Sequence, residues 1–371
     1  MKVHYNYLPQ EFSDPEKIIS EWKKLIKSSD FTLGKYIEKF EHEFSKYIGV
    51  NFCVATNNGT DALILSLKSL NIGNGDEVIT VCNSFYATVG AIVAVGAKPI
   101  FCDCDDRYQI SIKDIQKKIS SKTKAILPVH WGGASPDMHD IMKIAKKNKL
   151  YVIEDACMGI GAKIGTKSPG TFGHVNAFSM HPLKSLNVMG DAGAVVTNNK
   201  KIFNWIKKYR NHGMVDRDNI DFWGVNNRMQ PLQAIVAMHG LKKLESVIKK
   251  RNKNAYFYDV MLSKGKIVNY VKIPERKKNF RETFALYMIL CENRNNLKEF
   301  LQKKKVETKI HYPIPLHLQK ASSSLGYKSG DFINAEKQSH QLLTLPVHQF
   351  LNKEHLRHTI LQIKKFYDVE K

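Results

Sequence analysis

The sequence predicts an α/β protein with a mostly parallel sheet held between helices. Three observations carry that reading. Short apolar runs recur at residues 52–55, 77–82, 99–102, 125–129 and 151–153. Helical patterns stand between several of them, at 62–70, 85–95 and 141–147, and such alternation belongs to parallel sheets covered by helices. Finally, Gly59, Ser84, His130 and Asp155 all follow the carboxyl ends of these runs, where such sheets bind ligands.

Composition narrows the class. The 371 residues give room for a large domain and a smaller one, and 43% hydrophobic with 25% charged is ordinary globular material. No apolar run approaches the ~20 residues of a membrane span, and MKVHYNYLPQEF lacks the apolar core of a signal peptide. The six cysteines show no paired spacing for zinc or a disulfide framework, so a reduced, cytoplasmic protein without a metal site is expected. The net charge of +22 invites a nucleic-acid reading, but only nine of the 57 basic residues are arginine and the lysines are spread throughout. Phosphate and base recognition favours the planar fork of arginine, so a lysine-rich solvated surface is the expectation, with no nucleic-acid or membrane partner.

In chain order, residues 1–50 open with polar and helical material. Residues 36–47 form an amphipathic helix, with Ile37, Phe40, Phe44 and Tyr47 at three- and four-residue steps. The strand at 52–55 runs into Thr56-Asn-Asn-Gly-Thr-Asp61 and a helix. There Gly59 lets the backbone approach a bound group, Thr60 or Asp61 can cap the helix, and the open N–H groups make an anion site. Taken alone, the same junction is a plain capped turn. Phe85 begins the next helix, where it could lie flat on a ring, although a lone aromatic there is more often core. After residue 197 helices at 200–209 and 234–250 are expected, with a composition shift at 249–254 starting a second domain. That domain holds a strand at 284–290, helices near 296–304 and 353–367, and the proline-bearing loop His311-Tyr-Pro-Ile-Pro-Leu-His317.

The stretch from 151 to 197 organises the rest. Its strand ends in Glu154-Asp155, and Lys184 follows about thirty residues later, inside Ser179-Met-His-Pro-Leu-Lys184. Such a pair suits pyridoxal 5′-phosphate: an aspartate can keep the pyridine nitrogen protonated, and a lysine can carry the aldehyde as a Schiff base.

Ten further motifs, in order, resemble one family. They include Gly34-Lys-Tyr-Ile-Glu-Lys-Phe-Glu41, Asn58-Gly-Thr-Asp-Ala-Leu63, Asp76-Glu-Val-Ile79, Glu154-Asp-Ala156, Phe178-Ser-Met-His-Pro-Leu-Lys184, Gly190-Asp-Ala-Gly193, Asn226-Asn-Arg-Met229 and His311-Tyr-Pro313. The chain is thereby similar to the DegT/DnrJ/EryC1/StrS sugar aminotransferases. The resemblance implies the type I aminotransferase fold, with a large cofactor domain over residues 1–248 and a smaller C-terminal α+β domain over 249–371. It implies that Lys184 forms the Schiff base, Asp155 pairs with the ring nitrogen and Phe85 stacks on the ring. Asn58, Gly59, Thr60 and Ser179 would hold the phosphate. Asn226 would serve the neighbouring subunit's cofactor, making a homodimer with shared sites, while Arg228 and His311 would touch substrate.

The implied reaction moves an amino group from L-glutamate to a keto sugar, expected to be nucleotide-linked, for a surface polysaccharide or related glycan. A 3-keto nucleotide sugar and a keto octulosonate both remain open as acceptors. Two departures stand out: Met158 occupies a place where many relatives carry Gln or His, and Ala192 replaces a glycine of the usual turn. A dehydratase branch of the family has histidine in place of the lysine, which Lys184 argues against. A non-catalytic cofactor-binding or basic binding protein has only the charge in its favour.

Overall fold

A computed structural model describes residues 1–369. Seven five-residue strands form the main sheet: β1 (Phe52–Thr56), β2 (Glu77–Val81), β3 (Lys98–Cys102), β4 (Thr123–Leu127), β5 (Tyr151–Asp155), β6 (Val175–Ser179) and β7 (Gly193–Thr197). Their order is β1-β7-β6-β5-β4-β2-β3. The pairs from β3 through β6 are parallel, and β7 lies antiparallel between β1 and β6. Each parallel step has a helical crossover or a long connection. The link from β6 to β7 has only thirteen residues and no helix, and β7 runs back antiparallel to β6.

Both faces of the sheet are covered. One buried cluster carries Leu63, Leu67, Ile92, Ile115 and Ile141 from the crossover helices. The other packs Ile37, Phe40 and Phe44 of the helix Gly34–Ile48 against Ala234, Leu244 and Ile248. These are the apolar positions that the three- and four-residue spacing marked out.

The long helix extends from Pro231 to Leu262, well past the end expected near 250. The Lys/Arg/Asn stretch at 249–254 was expected to start the second domain, and two of its polar residues point inward. Arg251 is 1% exposed, and Asn254 donates to the carbonyls of Val347 and His348, 3.3 and 2.9 Å away. The helix therefore continues unbroken across residues 248 and 249. Beyond it lie β8 (Val271–Lys272), β9 (Tyr287–Cys291) and β10 (Leu342–Leu345), antiparallel in the order β10-β9-β8. Helices Arg294–Lys303 and Lys353–Phe366 cover this sheet through Leu297, Leu301, Leu356 and Ile360. The strand expected at 284–290 begins three residues later, because Phe284 sits at φ 49°, outside strand geometry.

The helical material expected near the start is present as Leu8–Glu11 and Glu16–Ser28, and an extended arm precedes it. Val3 pairs with Val306 in a parallel bridge, donating to the Lys305 carbonyl at 2.8 Å and accepting from the Glu307 N–H at 2.9 Å. No helix among the described residues is long and apolar enough to cross a membrane.

Candidate active site

A cavity of about 310 Å³ opens at the carboxyl ends of β1, β2, β5 and β6. Asn58, Gly59, Thr60, Phe85, Asp155, Ser179, Lys184 and His311 all line it, so eight of the ten residues singled out from sequence converge there.

Asp155 is the last residue of β5 and only 5% exposed. Strand alternation sends it to the cavity and Glu154 to the opposite face. One Asp155 oxygen accepts from the Thr88 hydroxyl at 2.7 Å, and the other from the Cys157 N–H at 3.2 Å. Because Thr88 spends its hydrogen on Asp155, Ser84, 2.7 Å from Thr88, must donate to Thr88. The result is a chain from Ser84 through Thr88 to Asp155. Glu154 is engaged on the far side of the strand, where it accepts from the N–H groups of Gly170, Phe172 and Gly173 and binds the His130 ring at 2.8 Å. His130 stands at a strand end as expected, but it serves Glu154 and is not part of the cavity wall.

Lys184 rides on the loop between β6 and β7. The loop is tied at its base by Met180, whose N–H reaches the Ala192 carbonyl at 2.8 Å and whose carbonyl accepts from Val188 at 3.0 Å. Burial pulls the Lys184 amine below the ordinary lysine range, with Cys157 and Asp155 pulling partly the other way. Neither Asp155 nor Lys184 takes part in an ion pair among the described residues.

The β1 junction differs in detail from expectation. The helix starts at Gly59, and the cap is Asn58, whose side chain accepts from the Asp61 N–H at 2.8 Å. Thr60 and Asp61 lie inside the first turn and cannot cap it. The N–H groups of Gly59 and Thr60 have no intrahelical partner and are open to an anion. A Cβ on Gly59 would stand 2.6 Å from the Ser179 Cβ and 3.0 Å from the Cys157 sulfur, so only glycine fits this close approach. Phe85 is the residue before its helix, in extended conformation and 47% exposed at the cavity wall. Ala192, which stands where the usual turn has glycine, buries its methyl group in the second core cluster.

Asn226 and Arg228 lie elsewhere in this chain. Arg228 donates to the side-chain oxygens of Asn226 and Asn211, both at 2.9 Å, on a surface loop whose Trp223 is 87% exposed. Met158 does line the cavity, while its carbonyl accepts from the Thr283 hydroxyl at 3.1 Å.

Several wall residues escaped sequence reasoning: Tyr5 and Tyr7 of the N-terminal arm, Arg251, and His348. The alternation of Val3, Tyr5 and Tyr7 was a usable signal, since period-two spacing marks an extended segment with one face inward. All six cysteines are free. Cys82, Asp103 and Cys104 bring possible ligand atoms within 4.8 Å of one another, but the Asp103 carboxylate already accepts from the N–H groups of Cys104, Asn334 and Ala335.

An uncompensated carboxylate, a lysine amine lowered by burial, and open helix N–H groups beside an obligatory glycine share one cavity. These residues fit pyridoxal phosphate.

Comparison with known proteins agrees. Residues 13–364 match the model of the DegT/DnrJ/EryC1/StrS aminotransferase family. The chain is 34% identical to a pleiotropic regulatory protein of Geobacillus stearothermophilus, covering 93% of this chain and 92% of that one. It is 33% identical to the UDP-N-acetyl-3-dehydro-alpha-D-glucosamine 3-aminotransferase of Acidithiobacillus ferrooxidans, covering 94% of each. The crystal structure of S. venezuelae DesV in complex with a ketimine intermediate superposes with a TM-score of 0.95, 29% identity and 98% coverage of both chains. The chain belongs to the DegT/DnrJ/EryC1/StrS aminotransferase family and is a pyridoxal-phosphate-dependent aminotransferase of the type I fold.

Proposed function

We propose that this aminotransferase moves an amino group from L-glutamate to the ketone of a nucleotide-linked sugar, supplying an amino sugar for a surface polysaccharide or related glycan. The observation that carries the reading is the meeting of Asp155 and Lys184 in one cavity that continues past them between aromatic walls. The sugar-nucleotide name of the Acidithiobacillus relative supports the substrate class.

Bound pyridoxal phosphate supplies an aldehyde that carries the amino group and a ring that takes up electrons from the carbon losing its proton. The protein's residues divide the remaining work. The N–H groups of Gly59 and Thr60, with the Asn58 cap and the Ser179 hydroxyl, grip the phosphate. Phe85 covers the ring. Asp155, braced by Thr88, holds the proton on the ring nitrogen. Lys184 Nζ takes the proton from the α-carbon of the donor and gives one to the sugar carbon on the return half, a task that its lowered pKa favours.

His311 is the proposed substrate contact in this cavity, and Arg228, which does not line it, is proposed to reach substrate in the cavity of the neighbouring subunit. Thr344 donates its hydroxyl hydrogen to the Lys309 carbonyl at 2.8 Å, so His311 Nδ1, 3.0 Å away, must carry the hydrogen between them. Burial, with Lys309 and Lys184 nearby, pushes the His311 pKa down to about 4. At neutral pH its Nε2 is therefore a lone-pair acceptor for a sugar hydroxyl.

The expected result on a panel of keto sugars incubated with L-glutamate is a product that has gained an amine, read by mass spectrometry. Water loss without amine gain across the panel would sink the proposal. We further propose a cytoplasmic homodimer in which Asn226 serves the cofactor of the neighbouring subunit, supported by its absence from the wall of its own chain's cavity. Sedimentation should give a dimer, and an active monomer would remove this part.

A further inference from the structure

The N-terminal arm lies across the cavity and reaches Lys184 itself. The Tyr7 hydroxyl donates to the Lys184 main-chain carbonyl at 3.1 Å and accepts from Arg251 Nη2 at 2.7 Å. Since a phenol has one hydrogen, the two bonds have fixed directions. Arg251 is held in turn by the Gln349 side chain at 3.1 Å and the Phe284 carbonyl at 3.3 Å, and its guanidinium lies 5.1 Å from the centre of the Tyr7 ring. The ring also stacks on His348, at 5.2 Å and 27°, and His348 Nε2 donates to the His4 carbonyl at 2.9 Å. Further out, the Tyr5 N–H donates to Glu307 at 2.8 Å. The arm is thus clipped to the C-terminal elements at several points, and its one hydroxyl bond to the large sheet's loops ends on the lysine.

That loop needs such a hold. Between Met180 and Ala192 it has no helix or strand, and the Lys184 N–H makes only a short turn to the His181 carbonyl at 2.9 Å. A side chain used for proton transfer loses much of its rate when its backbone wanders by about 1 Å.

We propose that Tyr7 is a positioning residue for Lys184, its hydroxyl bridging Arg251 to the lysine's carbonyl and so fixing the backbone from which the amine works. The inference rests on the reading that Lys184 acts on the bound cofactor. The groups that face the amine are Asp155, Cys157, His181 and His311, and none of them bonds to Tyr7.

The test compares cofactor-loaded wild type with Tyr7→Phe and Arg251→Lys. Tyr7→Phe keeps the ring and its stacking but deletes both hydroxyl bonds. For the half-reaction with L-glutamate, kcat should fall about tenfold while KM stays within about twofold. The pH midpoint of the Lys184-dependent absorbance band should rise, because a loosened loop admits water and relieves the penalty on the charged nitrogen. Arg251→Lys retains one donor and should move both readouts the same way by less. It carries the test if Tyr7→Phe does not fold. An unmoved midpoint in the folded variants, even with activity lowered, assigns Tyr7 a merely structural role and overturns the proposal. A wild-type protein lacking the band overturns the role of Lys184 and this inference together, whereas a wild-type band unmoved by the substitutions overturns this inference alone.

Discussion

Lys184→Ala should lower transamination by on the order of 10⁴-fold, the largest single loss expected from any substitution in the cavity. Two functions disappear with one amine. The first is covalent attachment of the aldehyde, and the second is the proton shuttle at the donor's α-carbon. Water cannot replace the shuttle efficiently, because the amine stands in a pocket whose desolvation gives the lysine its lowered pKa. The phosphate grip at Gly59 and Thr60 is untouched, so the variant should still bind cofactor while losing the lysine-dependent absorbance band. Spectra and single-turnover rates with L-glutamate measure the two effects separately. A variant that keeps a tenth of wild-type turnover would show that another base does the work.

How much of this site could be read from the chain depends on how locally each residue is determined. Asp155 and Gly59 were legible because a strand end and a strand-to-helix turn are short-range grammar: an apolar run, then a small or acidic residue at a fixed offset. The Asn58 cap was missed within the same turn, since three polar residues in a row can each cap and only the helix register decides among them. Thr88 was missed because its partner, Asp155, lies 67 residues away at the end of β5. The Tyr7–Arg251 contact spans 244 residues, and nothing in either local sequence announces it. The inward turn of Arg251 was not legible either, since a lysine- and asparagine-rich stretch does not show which of its side chains are buried. The reversed β7 was within reach: a link of thirteen residues that holds His181-Pro182 and the turn glycine Gly190 leaves little room for a crossover helix.

Asp155→Asn should reduce turnover by about 10²- to 10³-fold while leaving cofactor binding largely intact. The substitution is chosen because it separates charge from shape. Asparagine has nearly the same volume, and its oxygen can still accept from Thr88, so the chain from Ser84 through Thr88 survives. What disappears is a negative charge that is 5% exposed and takes part in no ion pair among the described residues. A buried carboxylate with only a hydroxyl and one N–H as partners is costly to the fold unless a cation completes it. In the proposed mechanism the protonated ring nitrogen of the cofactor would be that cation, and the neutral amide could not hold the proton there. Without the proton the ring accepts electrons poorly, so the step that suffers is proton removal at the α-carbon, not attachment to Lys184. The variant should therefore show the lysine-dependent band at normal occupancy, with a slowed glutamate half-reaction and a large deuterium isotope effect at the α-carbon. If Asp155 only braced the loop through Thr88 and Cys157, the isosteric amide would turn over within tenfold of wild type, and its role at the ring nitrogen would have to be given up.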